Sequence, residues 1–145
     1  GGYAGSPYGQ EAPGLYRVDA ETRRVEKVFK FEMGDRGSEI FMNEARDSIF
    51  FIRSRQETVN GKTESRDHIW KMSVEADDLP DEPFLTNTST NHWYGLTVDP
   101  HTSEVYVADA IDYVQPGVIY RYSAKGEFLD KFQVGVIPGA FCFNY

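Results

Sequence analysis

The residues with the most chemistry in reach are His92, Trp93 and Tyr94, an imidazole followed by two aromatic planes, and the carboxylates Asp109 and Asp112 beside the phenol of Tyr113. Aromatic planes with hydrogen-bonding carboxylates and an imidazole suit a sugar, a peptide or another small polar ligand. The same residues have plainer uses. Trp93 and Tyr94 can pack between sheets, Asp109 and Asp112 can form turns by bonding nearby backbone amides, and His92 can be an ordinary hydrogen-bonded histidine. Both readings stay open on the sequence.

Other chemistries find less to work with. The histidines at 68, 92 and 101 show no paired ligand spacing, which disfavours zinc. No cofactor and no metal ligand are expected; calcium on Asp109, Asp112 and backbone carbonyls is the minor alternative, and the calcium-loop spacing is absent. There is no Gly-x-Ser-x-Gly elbow, phosphate loop or dinucleotide fingerprint. Carboxylates near in sequence do not establish the spatial separation that glycoside cleavage requires, so no catalytic residue is assigned. Cys142 is alone, which rules out an intrachain disulfide; between Phe141 and Phe143 it reads as buried apolar filler. Asn87-Thr88-Ser89 matches a glycosylation acceptor, a triplet frequent by chance.

Composition narrows the partners. At 145 residues, 40% hydrophobic and 14% aromatic, the chain can bury a core. Its net charge of −8 repels phosphate backbones and anionic lipid, so nucleic acid is not an expected partner. The longest apolar run, Ile49 to Ile52, falls far short of the roughly 20 residues of a membrane helix, and no transmembrane segment is expected. The sequence opens Gly1-Gly2-Tyr3 without a basic-then-apolar leader, so any export signal is expected to have been removed or to lie outside this stretch, and location has to be read from elsewhere.

The elements that must position these residues repeat. Leu15-Tyr16-Arg17-Val18 returns as Ile119-Tyr120-Arg121-Tyr122, and Ile69-Trp70-Lys71-Met72 lies between them with the same apolar, aromatic, basic, apolar order. The aromatics stand at 16, 70 and 120, which gives steps of 54 (70 − 16) and 50 (120 − 70) residues. A second strand type, Ile49 to Ile52 and Val105 to Ala108, keeps the same period. A unit of about 50 residues built from short β-branched and aromatic strands is the size of a propeller blade. The expected fold class is therefore all-β, as four-stranded antiparallel meanders, about two to three blades.

The last blade reads as strands Tyr94 to Val98, Glu104 to Ala108, Val118 to Ser123 and Phe128 to Val134, and the one before it as Glu39 to Asn43, Ser48 to Arg53, His68 to Ser73 and Pro83 to Thr86. Two strands near Leu15 and Val28 precede them and a closing strand at Ala140 to Asn144 follows, eleven in all. In domain terms, 1–35 is the end of a blade, 36–90 and 91–135 are blades, and 136–145 closes. Second strands apolar on both parities, such as Ile49 to Ile52, predict a sheet covered on both faces. The charged stretch from Arg53 to Asp67 reads as a solvated connection, with an interaction hairpin as the alternative.

Tyr94-Gly95-Leu96-Thr97-Val98-Asp99-Pro100, Glu104-Val105-Tyr106-Val107-Ala108-Asp109-Ala110, Asp112-Tyr113-Val114 and Ile137-Pro138-Gly139-Ala140-Phe141 resemble the last blade of the YncE-like surface propellers common in Bacteroidetes. The resemblance is close over 92–143 and looser over 13–53, and its Gly-x-x-Val-Asp-Pro part is shared with NHL-type repeats. It implies a seven-bladed protein of which this is the C-terminal part. It also implies export to the periplasm or outer surface, in some members on a lipid anchor. The partners implied are the remaining blades or further copies of the chain.

Successive antiparallel strands place alternate connections on one edge. Residues 53–67 and 109–117 therefore share an edge with 32–38, 87–93 and 135–139, and this loop-rich edge is where binding is expected. The leading functional reading is a non-enzymatic module that binds a small polar ligand, a glycan or a protein. The alternatives are a lactonase- or quinoprotein-dehydrogenase-like enzyme with an axial metal, and blades that only complete a ring.

Overall fold

A computed structural model describes residues 12–145, and these are all-β, with no helix among them. Nine strands form three antiparallel sheets. The first sheet has β1 (Gly14–Val18) and β2 (Val25–Lys30). The middle sheet has β3 (Arg36–Met42), β4 (Ser48–Val59) and β5 (Lys62–Ser73), in that order. The last has β6 (Trp93–Val98), β7 (Val105–Asp109), β8 (Val118–Tyr122) and β9 (Phe128–Gln133), also in chain order.

The expected fourth strand of the middle sheet, Pro83 to Thr86, shrinks to one bridge. Ile69 and Leu85 exchange both backbone hydrogen bonds at 3.0 Å. Proline at 80 and 83 removes donors on either side of Asp81-Glu82 and leaves Leu85 as the pairing point.

Strand register makes the sheets comparable. Leu15 faces Phe29 across β1 and β2, Ile69 bridges to Leu85, and Ile119 faces Phe132 across β8 and β9. The neighbouring aromatics, Tyr16, Trp70 and Tyr120, thus hold the same strand position in three sheets.

Two apolar layers join the sheets. Leu15, Phe29 and Phe31 pack against Phe51, Trp70 and Met72, while Phe50, Ile52, Ile69 and Leu85 pack against Leu96, Val98, Val105 and Val107. Adjacent residues of β4 therefore point into different layers, as the period-2 geometry of a strand requires, and the middle sheet is buried on both faces. Trp70 is 1% exposed and Tyr16 is 59% exposed, because Trp70 meets a preceding sheet and Tyr16, among the described residues, does not. Between the first and middle sheets, Arg53 forms a buried pair with Asp35, Nη2 at 2.6 Å and Nε at 2.8 Å from one oxygen. The Arg53 guanidinium also lies 4.8 Å from the Phe31 ring centre and 5.0 Å from that of Trp70.

The solvated connection expected at 53–67 is instead a ribbon. β4 and β5 stay paired out to Val59 and Lys62, closed by Asn60 (φ 53°) and Gly61 (φ 77°). Two left-handed residues in an Asn-Gly turn match the right-handed twist of the flanking strands. Charged side chains along it pair across and along the ribbon, as Lys62 with Glu64 at 2.9 Å, so charge here is compatible with strand.

The closing strand expected at Ala140 to Asn144 does not form. The segment instead lies over the far face of β6 and β7. Phe141 reaches the flat spot at Gly95, where an added Cβ would stand 2.8 Å from the Cβ of Ala108. The Phe143 ring meets Tyr106 edge-on at 5.4 Å, Tyr145 meets His101 at 4.0 Å, and the Tyr145 hydroxyl donates to Asp99 Oδ1 at 2.6 Å. This alternation turns Cys142 outward, so the residue expected to be buried filler is exposed.

Desolvation by its neighbours and the accepting Asp99 carboxylate push the Tyr145 phenol up to about 12. Burial raises the Asp99 carboxyl, but hydrogen bonds from Tyr145 and from the amides of His101 and Thr102 outweigh it and hold the group low. The phenol's contribution to holding the segment is therefore complete below its ordinary value of 10.0 and is lost as pH rises through about 12. The Asp99 contribution is present above 3.8 and fades as pH falls below it. A difference absorbance titration against Tyr145→Phe is expected to show one tyrosine ionising near pH 12. Ionisation at the ordinary value would contradict the contact.

Candidate functional site

The loop-rich edge of the middle and last sheets carries a polar network that begins on the ribbon. Asp67, buried on β5, accepts from Ser54 Oγ through one oxygen and from His92 Nδ1 at 3.0 Å through the other. Donation from Nδ1 leaves Nε2 of neutral His92 as a lone-pair acceptor. The side chain is 46% exposed, and Nε2 has no hydrogen bond among the described residues.

His68, buried in the same strand, accepts the Asn87 amide at Nδ1 (3.0 Å) and therefore donates from Nε2 to Glu57 at 2.8 Å. The loop from Asn87 to His92 is thus held to the ribbon at both ends. Asn87 bonds within that loop to Ser89 and to the carbonyl of Asn91, and Asn91 Nδ2 donates to Asp109 Oδ2 at 3.1 Å.

The six residues singled out in the sequence part company here. Trp93 lies in the core beside Tyr120 and Tyr122, ring centres 6.3 Å from each. Asp109 is fully buried at the end of β7, where it also accepts the Ile111 amide at 2.7 Å. Neither offers a surface to a ligand. Asp112 is exposed, but it accepts from the amides of Val114 and Gln115 and from the Gln115 side chain. Those bonds, the Gln115 amide first, hold its carboxyl below the usual range, and its role is the turn.

His92, Tyr94 and Tyr113 remain. Tyr94 is the extra residue of a bulge, since Trp93 pairs with Asp109 and Gly95 with Ala108. A bulge re-aims the side chain it carries: the Tyr94 hydroxyl donates to the Pro138 carbonyl at 2.7 Å, and its ring centre lies 6.2 Å from that of Tyr113. Burial first, then Tyr113 and Asp109, raise the Tyr94 phenol. Tyr113 is exposed and takes φ 64°, with Ile111 at φ 58° in the same loop. Left-handed backbone at a β-branched and a bulky residue is strained. The saturated Asp112 turn lies between them.

A shallow recess of about 420 Å³, lined by residues 27–30 and 77–79, lies beside β2 and includes none of these residues. No group of three or more His, Cys, Asp or Glu among the described residues is placed to hold a metal ion. Ser54 and Asp67 were missed by sequence reasoning because 53–67 reads as a solvated connection, and His68 and Asn87, outside that stretch, because their pairing depends on how distant segments meet. The signal that marks them is Asn60-Gly61, a strong hairpin turn between two polar stretches. No protein-family model matches the chain, and no curated protein matches it either.

Proposed function

We propose that the three sheets are successive propeller blades, and that they form a non-enzymatic binding module presenting His92, Tyr94 and Tyr113 at the loop-rich edge. The blade reading is supported by the common register of Tyr16, Trp70 and Tyr120 and by the two-faced burial of the middle sheet. The sequence resemblance adds that the whole protein is an exported bacterial propeller.

The observation that carries the binding reading is His92. A buried carboxylate fixes one ring nitrogen and leaves the other, on an exposed side chain, as a positioned acceptor for a ligand O–H or N–H. Tyr94 and Tyr113, ring centres 6.2 Å apart, supply an aromatic surface. Together they suit a neutral, hydroxyl-rich ligand such as a glycan.

Isothermal titration with soluble neutral oligosaccharides tests this. His92→Ala and Tyr113→Ala are each expected to weaken binding about tenfold, the worth of one good hydrogen bond or stacking contact, near 1.4 kcal/mol. If no oligosaccharide binds, or if both variants bind as the parent does, the reading fails. Blades with a purely structural role then become the better account, a view favoured by the interior positions of Trp93 and Asp109.

A further inference from the structure

The contacts of His68 commit it to one protonation state. A backbone N–H only donates, so Nδ1 can accept the Asn87 amide at 3.0 Å only while it holds a lone pair. The ring proton then sits on Nε2 and goes to Glu57 Oε1 at 2.8 Å. Both nitrogens are used, and at 3% exposure of the side chain little solvent reaches the ring to replace either partner.

The two histidines that hold the loop from Asn87 to His92 answer a proton differently. His92 donates from Nδ1 to Asp67, and an imidazolium donates there as readily as a neutral ring. An imidazolium at position 68 would set a second N–H against the Asn87 amide, two donors head-on in a buried place. Asn87 braces the loop, because its side chain bonds Ser89 and the Asn91 carbonyl. Release at Asn87 therefore loosens the loop as a unit, whereas the two backbone bonds between Ile69 and Leu85, just before it, involve no titrating group.

Charged groups face His68 from both strands of the ribbon and from the turn before β3. Glu57 on β4 would offset a charge on the ring, and Arg66 on β5 lies 3.9 Å from the second oxygen of that carboxylate. Arg53, paired with Asp35, stands directly across from His68 in the register and would oppose a further cation. Asp67, next to His68 in the strand, is engaged by Ser54 and His92.

We propose that His68 is the positioning residue of this loop and a proton-released latch: acid that charges its ring frees Asn87 and leaves the loop tied to the ribbon at His92 alone. The latch regulates the surface read above as a glycan site, and its purpose rests on that reading. A neutral ligand held at His92 is let go on acidification.

Nuclear magnetic resonance of the full chain from about pH 8 to about pH 5, the interval in which histidines change charge, tests this. The His68 ring is expected to carry its proton on Nε2 at the upper end and to gain one on Nδ1 in acid. Hydrogen-exchange protection of the Asn87 amide is expected to fall about tenfold along the same curve, the scale of one buried donor left unpaired, while that of Leu85 holds. His68→Gln, whose amide supplies one acceptor and one donor but no charge, is expected to keep the protection and lose its pH dependence. His92→Gln is expected to leave that dependence in place.

A proton already on Nδ1 at the upper end overturns the latch. So does Asn87 protection that stays level, that falls together with Leu85, or that still falls in His68→Gln. Should His68→Gln not fold, the parent decides alone: loss of protection that coincides with the His68 ring titration supports the latch, and loss displaced from it overturns it. No oligosaccharide enters these measurements, so the latch and the glycan reading fail separately.

Discussion

Trp70→Ala is expected to lower the stability of the fold by about 3 to 5 kcal/mol, the range for truncating a large buried aromatic. Trp70 is 1% exposed and stands where the first and middle sheets meet, against Leu15, Phe29, Phe31 and Phe51. Its removal withdraws the apolar area that holds the first sheet in place and leaves a void that β5, paired with β4 along its whole length, cannot collapse to fill. Equilibrium denaturation in urea measures the change. A loss below about 1 kcal/mol, typical of a surface site, would show that the two sheets do not pack as described.

The second large effect belongs to Asp35 and Arg53. Both side chains are nearly sealed from solvent, at 4% and 6% exposure, so Asp35→Ala strands a guanidinium between the Phe31 and Trp70 rings. Removing one partner of a buried pair costs about 3 to 5 kcal/mol, because the remaining charge has lost its compensation. The double replacement Asp35→Leu with Arg53→Met is expected to recover most of that loss, since no unpaired charge is left. A double-mutant cycle in the same denaturation assay decides the matter: additive losses would mean that the pair acts independently. Trp70 and Arg53 touch, so their effects should not be summed.

Much of the strand order was legible because it rests on short-range signals. Ile49 to Ile52 is apolar on both parities and proved to face two layers, and the turns at Asp99-Pro100 and Lys125-Gly126 mark real strand ends. Charge misled the reading of 53–67. The solvated end of a ribbon can carry Lys62 beside Glu64 at little cost, so polarity there says nothing against strand.

The site was legible only in fragments. Tyr94 and Tyr113 meet, ring centres 6.2 Å apart, but the partner that gives His92 its chemistry, Asp67, stands 25 positions away on the ribbon. Such pairing depends on how two sheets meet, which no local pattern in one sequence encodes. Trp93 and Asp109 look like binding residues by type, and only their depth in the fold shows otherwise.

Cys142 supplies the last consequence. It is the sequence's sole sulfhydryl and points away from the sheet that Phe141 and Phe143 cover. A maleimide dye would therefore attach at one known point and report, through its fluorescence, whether the terminal segment stays seated. Air oxidation can link only one molecule to another there, so a band that vanishes with reductant is a covalent artefact of handling.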